Sequence, residues 1–269
     1  MPKPVPAPTR SKLAAGVLSR ALTAPADAAH PTLAQRIADD LGVAIVDGAL
    51  ADGERIREEE LARHYGASRS PVREAIALLE RRGLVRTEPR RGTHVIGQSL
   101  DVIADLFNMR AVLVGLASRY VARRRDPAVI AQLQAHVDAL VAAVERPGIT
   151  PLAFARQGGD TAAVIVRQCG ASYLVQMLSD HAHHSGWGMI WRKRALDFKT
   201  VERRRRYAQQ FQQLVRCVAQ GADADAERLL RQMMFESRDR VLAAIAEARG
   251  GQIDPVHCLA DAPPAVSVA

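Results

Sequence analysis

Residues 61–95, LARHYGASRSPVREAIALLERRGLVRTEPRRGTHV, leave few folds open, because they read as two helices followed by a small β ribbon. The second helix is entered at about Ser68 to Pro71. A serine hydroxyl such as that of Ser70 can cap unpaired N–H groups, and a proline at the first helical position gives up a donor that has no partner there. Val72, Ile76 and Leu79 recur at three and four residues and form one apolar stripe facing a core. Arg69 and Arg73, four apart, share another face, so two long cations stand on the front of a helix whose back is anchored. That arrangement suits a helix lying in a major groove, where arginine reads guanine O6 and N7. A preceding helix, about Glu58 to Tyr65, ends at Gly66 and leaves a turn of helix-turn-helix length.

Gly83 is placed to close the second helix with a left-handed cap. Leu84-Val85-Arg86 then reads as a short strand, Pro89-Arg90-Arg91-Gly92 as a turn and Thr93-His94-Val95-Ile96 as the returning strand. The tip of this wing carries Arg90 and Arg91 beside a glycine that permits close backbone approach, which fits phosphate or a minor groove.

Charge is distributed unevenly along this module. Residues 31–62 hold three Arg against eight acids, whereas residues 63–96 hold eight Arg against three Glu. A neutral module with one basic edge is what a groove-binding face requires, since phosphate neutralisation needs local cations. The competing interpretation, a solvated Arg/Glu helix surface, explains the charges but not their coincidence with the cap, the spacing and the wing glycine.

The run from Thr32 to Ile96, with SRSPVREA and RRGTHV at its centre, resembles the winged helix-turn-helix of the GntR family of bacterial transcription regulators. The resemblance implies that Ser68, Arg69, Ser70 and Arg73 on the helix, with Arg91, Gly92 and Thr93 on the wing, contact double-stranded operator DNA. Arg57, just ahead of Glu58-Glu59-Glu60, stands where a further phosphate contact fits.

The remainder is helical in pattern. With 48% hydrophobic and only 4% aromatic residues, the 269-residue chain can bury a large core and favours helices over sheets, in two domains. No uninterrupted apolar run reaches the 18 residues of a membrane span. Residues 1–30, with Pro2, Pro4, Pro6 and Pro8, read as a disordered basic arm, although a transit-like segment has similar composition. Cys169, Cys217 and Cys258 are odd in number and lack CxxC spacing, which points away from disulfides and zinc and toward the cytoplasm. Ile37, Leu41 and Ile45 mark a scaffold helix ending near Gly48 within a DNA-binding domain at 31–97.

Gly97-Gln98-Ser99 is a short hinge, and a helical domain follows at 98–250, with a loose Pro/Ala-rich tail at 251–269. Helices are predicted at about 100–124, 127–145, 160–169, 172–196, 199–220 and 223–249. The expected fold is therefore mainly α: a winged helix-turn-helix with a small β wing, then an all-α bundle.

That bundle resembles the FCD ligand-binding domain of the FadR branch of the GntR family, through residues 110–122, 159–178 and 211–234. The resemblance implies a homodimer controlled by a small organic effector, such as an acid, an acyl-CoA or an aromatic metabolite. Many members hold a metal with one Asp and three His. Here only Asp160 survives, and the imidazole positions fall on Val164, Phe211 and Met234, so no cofactor and no metal are expected. Asp160 itself, after Gly158-Gly159, reads as a helix N-cap. Any cavity retained at this place is expected to be metal-free and apolar, unless the three side chains simply fill it. Arg110, inside a mostly apolar helix, is the first choice to meet a carboxylate or phosphate.

Other groups leave alternatives open. His181, His183 and His184 fit a polar turn or a metal cluster, and Trp187 and Trp191 fit a pocket, a dimer surface or plain core. Arginines 203–206 point all round a helix, with one able to turn inward. Nothing in the chain supplies a nucleophile with its base, a phosphate loop or an intact metal site, so an enzyme is not expected. A DNA-binding protein whose helical domain only dimerises is the alternative to an effector-controlled repressor.

Overall fold

Thr32 closes the first helix by a reciprocal pair of bonds. Its hydroxyl accepts from Gln35 N–H at 3.2 Å, and the Gln35 side chain accepts from Thr32 N–H at 2.8 Å, satisfying two donors that a helix start leaves unpaired. The computed structural model describes residues 32–184, 187, 190 and 197–260. The basic arm, Trp191, the side chains of His183 and His184, and the end of the tail at 261–269 lie outside the described residues. The chain divides into two units, Met1–Gly97 and Gln98–Ala269.

In the first unit α1 (Leu33–Val46) buries Ile37, Leu41 and Ile45 at the expected four-residue interval. It packs on α3 (Arg69–Arg81), whose Val72, Ala75, Ile76 and Leu79 are buried. Full burial of a leucine such as Leu79 contributes about 1.5–3 kcal/mol. Between them α2 (Glu58–His64) ends at Gly66, where φ is +57°.

The entrance to α3 differs from expectation in one detail. Ser68 occupies the N-cap position but makes no side-chain cap bond, so Ser70 and Pro71 are the second and third helical residues. Proline is tolerated there because the N–H it lacks is still among those without an intrahelical acceptor. The other end is as predicted: Gly83 (φ +68°) donates to Glu80 O and Leu84 N–H to Leu79 O, both at 3.0 Å, the paired bonds of a Schellman motif.

The wing has three strands rather than two. β1 (Arg55–Ile56) pairs antiparallel with β3 (Gly92–Val95), which pairs with β2 (Val85–Glu88), giving the order β1-β3-β2. In register, Arg55 faces His94 and Glu88 faces Gly92, which leaves Pro89, Arg90 and Arg91 as the tip. A strand of two residues carries too little periodicity to be read from sequence.

The second unit comprises α4 (Leu100–Arg124), α5 (Pro127–Ala143), α6 (Pro151–Gln168), α7 (Ser172–His184), α8 (Val201–Gln220) and α9 (Asp223–Arg249). Ser99, Asp126, Thr150 and Thr200 each cap the helix they precede. The core lies between α4 and α9, with α5, α6 and α8 around it. α6 begins at Pro151, nine residues before the expected start, so Asp160 is an exposed mid-helix residue and not an N-cap. Gly158 inside α6 serves packing: a Cβ there would stand 2.5 Å from Cε1 of Tyr207 on α8. Beyond α7, only residues 187 and 190 of the expected extension to 196 are described.

Of the arginine run on α8, Arg203 turns inward. Its Nε and Nη2 donate to the two carboxylate oxygens of Asp197 at 2.8 and 2.9 Å, and Ser237 Oγ donates to the same carboxylate at 2.9 Å. Arg240 approaches it at 3.3 Å. The Asp197 and Arg203 side chains are 0% and 4% exposed, so this pair lies inside the bundle. Arg205 and Arg206 stay outside and meet Glu145 and Glu236.

The tail read as loose is docked as far as Leu259. Buried Arg238 donates to Asn108 Oδ1 at 2.6 Å and to Leu259 O at 2.7 Å, while Asn108 Nδ2 donates to His257 O at 3.0 Å. His257 Nδ1 also lies 2.7 Å from Asp105 Oδ1. That bond, with further attraction from Asp105, Asp101 and Asp254, raises the His257 pKa above its ordinary value. A raised folded-state pKa stabilises below the unfolded value, near 6.5, and the contribution is lost as pH rises through the folded value. Amide protection factors at residues 255–259, which correct for base-catalysed exchange, are therefore expected to be highest at mildly acidic pH and to fall as pH rises through the folded value. The same profile in His257→Ala would show that this imidazole is not responsible.

Candidate nucleic-acid interface and effector cavity

The buried back of α3 leaves Arg69 and Arg73 on its front, with both side chains 66% exposed. Ser68 and Ser70 are exposed beside them. Neither arginine hangs free. Arg69 Nη2 donates to Glu59 at 3.0 Å and Arg73 Nε donates to Glu58 at 2.9 Å, both acids standing in the first turn of α2. Arg57, at the N-cap position of α2, bonds Glu60 at 2.9 Å.

At the wing tip Arg90 takes a left-handed conformation (φ +65°) and Arg91 is 79% exposed, 3.4 Å from Glu88. Gly92 is favoured by its positive φ of +93°, and an added Cβ would stand 3.0 Å from Nε of the Arg55 side chain. Thr93, expected on the wing surface, is placed differently. It is buried, and its hydroxyl lies 3.1 Å from that of Thr87, so the side chain belongs to the sheet. A cleft of about 620 Å³ runs between the wing and the start of α2, and Arg55 and Arg63 line it. Sequence reasoning missed both; the only available signal for Arg55 was the alternation around the buried Ile56.

In the helical unit a cavity of about 530 Å³ is lined by Arg110 and Val114 from α4, by small residues of α6, and by Tyr207, Phe211, Met233 and Met234 from α8 and α9. The Arg110 guanidinium lies 4.9 Å from the Trp187 ring centroid, a stacking distance for a cation on an aromatic face. His181 packs beside Trp187, and burial, then the charge of Arg110, lowers its pKa below the ordinary imidazole value. The cavity is thus an apolar chamber with cations at its wall and no carboxylate among the described residues that line it.

A model of the gntR family of bacterial regulatory proteins matches residues 33–95, and a model of the FCD domain matches residues 105–235. The chain belongs to the GntR family. Among curated relatives, the uncharacterised HTH-type transcriptional regulator YdhC of Bacillus subtilis is 37% identical over 82 residues, covering 30% of this chain and 37% of that one. The gluconate operon transcriptional repressor of the same organism is 37% identical over 78 residues, covering 29% and 32%. The chain thus matches about a third of the length of each. Among solved structures, Lar, which controls expression of the Listeria monocytogenes agr system, aligns with TM-score 0.58 and 21% identity over 80% of this chain and 98% of that chain, a likeness of fold.

Within this GntR-family chain, the residues aligned with the family's metal ligands do not fit a metal. Phe211 and Met234 line the cavity with apolar surface, Val164 is buried away from it, and Asp160 is exposed and lies outside the lining. Three of the four positions offer no lone pair suited to a borderline cation, and the fourth does not face the others' cavity. Of the expected pocket residues the structure brings together Arg110, Phe211 and Met234, and adds Trp187, Tyr207 and Met233.

Proposed function

We propose that this protein is a bacterial transcription repressor that binds a palindromic operator as a homodimer and is released or rearranged by a small effector in its FCD domain. The observation carrying the DNA half is the anchored α3 with Arg69 and Arg73 on one exposed face, beside a wing whose tip bears Arg90 and Arg91. Dimerisation is supported by the outer face of α4, where Val102, Met109 and Val112 are 43%, 52% and 51% exposed at helical spacing. Two-fold pairing of such a stripe would cover it and would match two half-sites. No helix among the described residues is long and apolar enough to cross a membrane, and a cytoplasmic site of action follows from a DNA target.

The cavity supports an effector with an apolar or aromatic body and one anionic group set against Arg110. Metal analysis of protein purified without chelator, with a thermal-shift screen of organic acids, aromatic acids and acyl-CoAs, tests this reading. The expected result is no stoichiometric metal, and an acid that raises the melting temperature of wild type but less so of Arg110→Ala. Zn, Ni or Mn that disappears in Asp160→Ala would overturn the metal-free cavity. No response to any class, with a dimer intact, would favour the helical domain that only dimerises.

A further inference from the structure

Three consecutive carboxylates at the start of α2 each hold a different arginine: Glu58 holds Arg73, Glu59 holds Arg69 and Glu60 holds Arg57, at 2.9, 3.0 and 2.9 Å. Two of the three bonds cross from α2 to the front of α3. Glu59 is 73% exposed and its arginine 66%, so the pair is bathed in solvent. Pairs this exposed add little to stability. Helix-dipole compensation explains why acids occur in a first turn, but not why the two reading arginines are both aimed at them.

We propose that Glu58 and Glu59 determine the base specificity of this surface, by positioning Arg73 and Arg69 and by repelling the phosphate backbone. The inference rests on the proposed DNA-reading role of α3. A guanidinium carries five N–H groups in one plane, so holding one of them fixes the direction of the others. The bond from Arg73 to Glu58 uses Nε and leaves Nη1 and Nη2, the fork that matches guanine O6 and N7. Arg69 is held through a single Nη2 bond and keeps its remaining donors.

The carboxylates also change what the arginines gain from DNA. An unpaired cation binds phosphate anywhere along a duplex, and that sequence-independent attraction dominates random binding. A cation already neutralised gains little from phosphate, while its remaining donors can still bond a base edge. Each glutamate thus weakens random binding more than it weakens binding at a site where guanine is correctly placed. The module's equal count of acids and arginines, eleven of each across residues 31–96, acquires a local meaning: two of the neutralising carboxylates, Glu58 and Glu59, sit against Arg73 and Arg69.

The test is selection from a duplex library randomised across both half-sites, using the full chain as wild type, Arg69→Ala, Arg73→Ala, Glu58→Gln/Glu59→Gln and, as control, Glu74→Gln. The control removes a charge from α3 and leaves both pairs in place. The expected result is that each arginine variant erases preference at particular base pairs. The double glutamine variant then weakens preference at those same base pairs by about fivefold, with tighter binding to random duplex at low salt and an unchanged melting temperature. Glu74→Gln is expected to keep every preference. Unchanged base preference in the double variant, or an equal loss in Glu74→Gln, overturns the positioning role. If the arginine variants alter no base pair while wild type selects a motif, the DNA-reading role of α3 itself is wrong, an outcome distinct from both.

Discussion

Asp197→Ala is expected to destabilise the helical unit by about 3–5 kcal/mol, the usual consequence of removing one partner from a buried ion pair. Asp197 has no exposed side-chain surface and receives two bonds from Arg203 and one from Ser237. Its loss leaves a guanidinium inside the bundle, with Glu236 at 3.7 Å the nearest remaining carboxylate to that side chain. Ser237→Ala deletes a single neutral donor and should cost about 0.5–1.5 kcal/mol. Urea unfolding followed by tryptophan fluorescence measures both, because Trp187 and Trp191 are the two tryptophans of the chain and both belong to the helical unit. Equal losses for the two variants, or a loss below about 1 kcal/mol for Asp197→Ala, would show that the pair is not what holds α8 to α9.

Arg73→Ala should lower affinity for the selected operator by about 1–3 kcal/mol, roughly fivefold to more than a hundredfold, with much less effect on random DNA. The side chain is exposed, so its loss costs the fold little, and its donors face outward from an anchored helix. Part of the loss comes from Glu58, which is left facing phosphate without its partner; Arg73→Ala/Glu58→Gln separates that repulsion from the lost base contact. Arg91 on the wing provides the contrast. Being 79% exposed at a tip of three residues closed by β2 and β3, it suits phosphate, so Arg91→Ala should weaken operator and random DNA alike and flatten the salt slope by about one. Titrations at several salt concentrations distinguish the two patterns, and equal loss on both DNAs in Arg73→Ala would remove α3 from its reading role.

Where the sequence was legible, local rules and packing agreed. The stripe Val72, Ile76, Leu79 is buried as its spacing requires, and Gly83 ends α3 in the left-handed region that favours glycine. Arg69 and Arg73 share a face because four residues make about one helical turn. The failures occurred where a local signal was overruled from a distance. Gly158-Gly159 punctuates the sequence and suggested a helix start, yet α6 runs through it, because Tyr207 needs the space that a Cβ at Gly158 would fill. A mid-helix glycine costs about 1 kcal/mol, and packing against α8 offsets it.

The same division accounts for the candidate sites. The sequence by itself determined the helices of the first unit, the placing of Arg69 and Arg73 on one face of α3, the wing with its cationic tip, and the absence of imidazoles at Val164, Phe211 and Met234. These depend on spacing along one element or on residue identity. Only the tertiary structure decided that Arg203 faces Asp197 rather than a ligand, that Arg238 and Asn108 pin residues 255–259, that Thr93 is buried, and that Glu58 and Glu59 hold Arg73 and Arg69. A helical run of arginines has the same periodicity whichever member turns inward, and a Pro/Ala-rich tail has the same composition docked or free. The choice is made by where a buried carboxylate or guanidinium finds its partner, since an unpaired charge in the core costs more than any local preference can supply.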